Sequence, residues 1–98
     1  MPATISTIGN ITRINLAGEF DFSTQDELKQ VFEKAISTTA PEIQIDMQNT
    51  AFIDSSVIRI FLKLLDTAQK NKKSLSLTHW VSAHLNVVMQ PIVERAEA

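Results

Sequence analysis

Three polar residues in a row, Asp54, Ser55 and Ser56, stand directly before the apolar run that starts at Val57. A hydroxyl beside a carboxylate has few chemical uses. It can be a nucleophile, a helix cap or a phosphate acceptor. A nucleophilic triad would join Ser55 and Asp54 to His79 or His84. No G-x-S-x-G elbow surrounds Ser55, and nothing in the sequence ties either histidine to it. Asp46, Asp54, Glu19 and Asp21 invite a cation, but their spacing fits no calcium loop. With only two glycines, Gly9 and Gly18, there is no P-loop and no G-x-G-x-x-G. With no cysteine, thiolate chemistry and cysteine metal sites are excluded. No catalytic residue, cofactor or metal is assigned.

What remains is the start of a helix. Asp54, Ser55 and Ser56 all suit the cap position, where a side-chain oxygen accepts an otherwise unpaired backbone N–H. A phosphoryl group on Ser55 would add about −1.5 to −2 charges. A helix N-terminus tolerates it, because free N–H groups and the dipole favour anions. Asp54 beside it repels it. Such a modification changes the surface a partner meets without refolding the chain.

The elements that must position these residues follow from periodicity. The chain has 98 residues, 44% of them apolar, and a formal charge of −2. That fits a single domain over residues 1–98 with a modest core. The basic residues form no stripe, which argues against nucleic acid. "KNKK", Lys70 to Lys73, reads as a solvated helix end. No stretch approaches the roughly 20 apolar residues of a membrane span, and "MPATISTIGN" lacks the pattern of a signal peptide. A cytoplasmic location is expected.

Two β-rich runs flank Gly9-Asn10, a pair suited to a hairpin, and Gly18 is expected to end the second strand. In "STQDELKQVFEKAIS" the residues Leu28, Val31, Phe32, Ala35 and Ile36 share one helical face. Thr24 and Glu27 have capping-box spacing. "EIQIDM" alternates as a strand, and "QNTAFID" reads as a loop anchored by buried Phe52 and Ile53. A second helix spans Ser55 to Lys70, with Val57, Ile60, Phe61, Leu64 and Ala68 inward. "SLSLT" alternates again. A third helix is expected over Ser82 to Gln90, stopped by Pro91. The order β-β-α-β-α-β-α is that of a small mixed α/β sheet of about four strands. Its alternating strands place the helices mainly on one face.

Ile58 and Leu62 are apolar but lie beside the inner stripe of the second helix. They read either as a wide core face or as an exposed ridge bordered by Arg59 and Lys63. The ridge would suit protein docking.

With "INLAGEFD" (Ile14 to Asp21), "IQIDM" (Ile43 to Met47) and "FIDSSVIRIFLKL" (Phe52 to Leu64) in that order, the chain resembles the STAS domain family, the anti-sigma-factor antagonists of bacteria. The resemblance covers roughly residues 4 to 90. It implies a domain that acts by binding and is not an enzyme. It implies phosphorylation of the serine after the motif's Asp, here Ser55, with Ser56 the less favoured acceptor. Asp21, Asp54 and Ser56 would form the phosphosite environment. Val57, Ile58, Arg59 and Leu62 would meet the partner. The implied partners are a serine kinase or anti-sigma factor of GHKL type, which the unmodified form binds, and a PPM-type phosphatase that resets the switch. A monomer is expected. One departure stands out: regulatory members commonly carry glycine where this chain has Val57, which adds bulk at the expected docking surface. The alternative within the family is a constitutive STAS subunit of a transporter or regulatory assembly, in which the hydroxyls only cap.

Overall fold

The computed structural model describes residues 3–79 and Arg95. Two strands, β1 (Ala3–Ile8) and β2 (Ile11–Phe20), form an antiparallel hairpin. Gly9, at the first turn position, has φ +60, where glycine meets no Cβ penalty. A 3₁₀ turn (Phe22–Thr24) leads into α1 (Gln25–Ser37), then β3 (Glu42–Ile53), α2 (Ser55–Lys70) and β4 (Ser74–Thr78). The expected helix over Ser82 to Gln90 lies outside the described residues.

The sheet order is β1-β2-β3-β4, with β3 parallel to both β2 and β4. This is the mixed four-stranded α/β sheet expected from the element order. Strand order advances in one direction, so right-handed crossovers put both helices on the same face. The burial agrees. Ile14, Leu16, Ile43, Ile45 and Met47 point into one core with Leu28, Phe32, Phe61 and Leu65 from the helices. Phe32 and Phe61 join α1 to α2 edge-to-face, with ring centroids 5.3 Å apart. Apart from Ile8 and Ile11 at the hairpin end, the other face is mostly polar. Across it Arg13 donates to Gln44 (3.1 Å), and Asp46 is bonded to His79 Nδ1 (2.7 Å). Burial pushes the Asp46 carboxyl up, but the His79 hydrogen bond and charge, with the Gln48 N–H and Thr78, outweigh it and hold the group below its ordinary value.

Four sequence expectations are corrected. Gly18 does not end β2. It sits at φ +90 in an irregular stretch of the β2–β3 register, and pairing resumes through Phe20 and Ile53. "QNTAFID" is not a loop, because β3 continues to Ile53 against the lengthened β2. Thr50 is buried there and donates to the Leu16 carbonyl (2.9 Å), which makes a polar residue fit a strand interior. Phe52 is not a buried anchor. Strand alternation turns Ile53 inward and leaves Phe52 49% exposed. Finally, the lysine cluster is not simply a solvated helix end. Lys72, at φ +59, closes α2 by donating its N–H to the Gln69 carbonyl, and Lys73 N–H reaches the Ala68 carbonyl. The Lys73 ammonium bonds the Thr38 and Ala40 carbonyls, tying β4 to the end of α1.

Candidate functional site

The site forms where two parallel strands end side by side. Phe20 pairs with Ile53, and the Asp54 N–H donates to the Phe20 carbonyl (3.1 Å). Each strand therefore hands the chain to a helical segment at the same edge, and each hand-over is made by an aspartate. Ligand and partner surfaces of α/β sheets gather at this carboxyl edge because helix N-termini and their free N–H groups collect there.

Asp54 caps α2. Its Oδ1 accepts the Ser56 N–H (2.9 Å) and the Ser56 hydroxyl (2.5 Å). Asp21 caps the 3₁₀ turn in the same manner, accepting the Ser23 N–H (2.9 Å) and the Ser23 hydroxyl (2.5 Å). These two bonds from Ser23, hydroxyl first, hold the Asp21 carboxyl below its ordinary value. Thr24 completes a capping box there, accepting the Asp21 N–H (3.0 Å) and donating to the Asp21 carbonyl (2.8 Å). The predicted Thr24–Glu27 box is thus corrected, since the Thr24 hydroxyl is engaged with Asp21 and makes no side-chain cap to α1. The first turns of the two helices are linked by Gln25 Nε2, which donates to the Ser56 carbonyl (3.3 Å).

Ser55 stands apart from its neighbours. It is the first residue of α2, it is exposed, and among the described residues no hydrogen bond engages its hydroxyl. Capping thus accounts for Asp54 and Ser56 and leaves Ser55 with no structural duty. The structure brings Asp21, Asp54, Ser55 and Ser56 together at one edge.

The proposed partner-facing residues separate. Arg59 is exposed one turn below Ser55, whereas Val57 is fully buried. The expectation that Val57 adds bulk to a docking surface is corrected: three residues past the cap, its side chain points into the core under the helix. Ile58 and Leu62 are half-buried and pack against the core cluster, so a wide core face accounts for much of their apolar character.

Sequence reasoning missed Phe22. It is 76% exposed and lines, with Ser55, the mouth of a groove of about 940 Å³ between α1 and α2. Its signal was available: a large apolar residue in the polar turn "DFST", off the stripe of α1.

Comparison with known proteins agrees with this architecture. The family model described as "Mlab, STAS domain" matches residues 3–90. A STAS-domain containing protein of Pseudomonas aeruginosa (strain UCBPP-PA14) is 27% identical over 74 residues, 76% of this chain and 72% of that protein. Among solved structures, an anti-sigma factor antagonist from Mycobacterium paratuberculosis superposes with a TM-score of 0.71 at 16% identity, over 91% of this chain and 80% of that one. The anti-sigma factor antagonist SpoIIAA, in its unphosphorylated form, gives 0.64 at 19% identity, over 76% and 70%. The same fold also recurs in Mglu (TM-score 0.67, 12% identity), where 76% of this chain covers only 18% of the other. At these identities the structural likeness speaks for the fold. The family match, spanning nearly the whole sequence and including the Asp-Ser-Ser helix start, places this chain in the STAS domain family.

Proposed function

We propose that the chain is a protein-binding module switched by phosphorylation of Ser55, acting in a partner-switching pathway of the anti-sigma-factor-antagonist kind. One observation carries the reading: at the start of α2 the Asp54 and Ser56 side chains are bound to each other, and the Ser55 hydroxyl is exposed and uncommitted. Structural likeness to two anti-sigma factor antagonists, one solved in its unphosphorylated form, supports it.

In the proposed cycle a GHKL-type serine kinase transfers the γ-phosphoryl group of its ATP to Ser55 Oγ. The hydroxyl proton leaves and ADP departs. A PPM-type phosphatase returns the hydroxyl, using water to release inorganic phosphate. The phosphate would sit on the N-terminus of α2, where the fold tolerates an anion. It would also crowd Asp54 and Asp21 with a further −1.5 to −2 or so charges. The fold therefore persists while the edge becomes more negative, and a partner seated on that edge is expelled by repulsion and desolvation.

The test is recovery of the cognate kinase or anti-sigma factor by three forms of the full chain. Wild type and Ser55→Ala are expected to recover it equally. Ser55→Asp is expected to lose it by roughly 100-fold, about 2.7 kcal/mol. Equal recovery by all three forms would instead identify a constitutive subunit whose serines serve only as caps.

A further inference from the structure

The groove that opens beside Ser55 runs between α1 and α2. Its floor is apolar, from Phe32 and Ile36 on α1 and Ile60 and Leu64 on α2. Its rim carries three cations, Lys29 on α1 and Arg59 and Lys63 on α2, against one acid, Glu33. Among the described residues the two ion pairs are His79–Asp46 and Arg95–Asp66, so none of these rim cations is paired there. The chain as a whole is acidic, at −2. Cations gathered along an apolar trough therefore run against the overall charge. Core packing does not set the two flanks of α2 apart: Phe32, Ile60 and Leu64 of the floor belong to the core, and Ile36 packs against it as Ile58 and Leu62 do on the other side, so it is the rim cations that distinguish the groove.

We infer that this groove seats an amphipathic helix of a partner protein, with its apolar face down and aspartates or glutamates along its flanks. Length fits: α1 has 13 residues and α2 has 16, so the trough is roughly 20 Å long at 1.5 Å per residue, enough for three to four turns of a docked helix. Such a helix places anchors at i, i+3, i+4 and i+7 on the floor. Its carboxylates meet Lys29, Arg59 and Lys63, which give register and a fast approach more than raw affinity. The exposed Phe22 ring at the mouth offers the first apolar contact. This inference rests on the partner-binding reading and supplies the partner's chemistry. It also says how the switch acts, because a phosphate on Ser55, one turn above Arg59, competes for the cation the acidic helix needs.

The test uses an artificial probe and unmodified protein. A helical peptide of about 14 residues carries leucines at the anchor spacing and glutamates on both flanks. A second peptide has lysine for every glutamate. Each is titrated into the isotope-labelled full chain and followed by amide chemical shifts. The glutamate peptide is expected to perturb Phe22, Ile36 and Arg59 amides, and to bind at least tenfold more tightly than the lysine peptide. Arg59→Glu with Lys63→Glu should weaken it at least tenfold. Lys34→Glu, an equal charge change per site outside the groove, should leave the affinity unchanged. Shifts confined to the Ile58 and Leu62 flank, equal affinity for both peptides, or no shifts at millimolar peptide would overturn the inference. Failure here separates cleanly from failure of the switch. If the peptide binds the groove and Ser55→Asp makes no difference, the groove stands and the switch falls. If the peptide fails while Ser55→Asp still loses its kinase, the groove falls and the switch stands.

Discussion

Two helix starts lie side by side at one edge of this sheet, and they are built on the same plan. Asp21-Phe22-Ser23-Thr24 and Asp54-Ser55-Ser56-Val57 each begin with an aspartate that receives the N–H and hydroxyl of the serine two residues on. In each, the backbone N–H of the fourth residue returns to the aspartate carbonyl, at 3.1 Å for Thr24 and 3.2 Å for Val57. The second position is exposed in both. The differences are confined to positions two and four. Thr24 closes the first cap with its own hydroxyl, whereas Val57 leaves that role and buries itself in the core. The first cap presents a phenyl ring and the second a hydroxyl. One local design therefore yields an apolar contact point in one place and a modifiable oxygen in the other. A cap needs only its first and third residues, so the second is available for function.

The comparison breaks first at position four. Val57→Gly removes the side chain from a fully buried site. It is expected to cost about 3 kcal/mol, from lost apolar burial and added helix entropy, measured by urea unfolding. A change near zero would mean that the side chain is not part of the core. Next comes Asp54→Ala, which removes the cap of the 16-residue α2 and is expected to cost about 1 kcal/mol. It also frees the Ser56 hydroxyl, so phosphate should then appear on both serines. The matching change, Asp21→Ala, should cost less, because it caps only a three-residue turn that Thr24 also holds.

Smaller still is the contrast within the second cap. Ser56→Ala loses its bond to Asp54 and should cost roughly 0.5–1 kcal/mol. Ser55→Ala should stay within about 0.5 kcal/mol of wild type, since no bond is lost. Reversal of that order would show that Ser55, not Ser56, serves the cap. The mildest difference is in pH. The Asp21 carboxyl is held below its ordinary 3.8 by Ser23. A lowered carboxylate contributes stability that is present above the ordinary value and lost as pH falls through the folded one. Asp21→Asn should therefore flatten the stability slope below about pH 4 and leave it unchanged near pH 7.

Much of this architecture can be read from the residues. Alternation at Ile43, Ile45 and Met47 and the helical stripe of Val57, Ile60, Phe61 and Leu64 fix which face of each element is buried, and burial drives both. The Asp-Ser-Ser run marks the helix start for the same local reason. What is not legible depends on partners remote in sequence. β3 extends past Met47 only because β2 extends beside it, and a buried Thr50 looks like a loop residue until the Leu16 carbonyl is in place. Capping-box spacing pointed to Thr24 and Glu27, but Asp21 offered Thr24 the nearer bond. Which of Ser55 and Ser56 is tied down is likewise a matter of geometry, since both are plausible caps by type.

The central claim is that the uncommitted hydroxyl at position 55 is the one that takes phosphate. The direct measurement is phosphosite mapping by mass spectrometry of the full chain after incubation with its cognate kinase and ATP. One added phosphate, on Ser55, with none gained by Ser55→Ala, is the expected result. Phosphate on Ser56 or Ser23 with Ser55 unmodified, or full phosphorylation of Ser55→Ala, would contradict it.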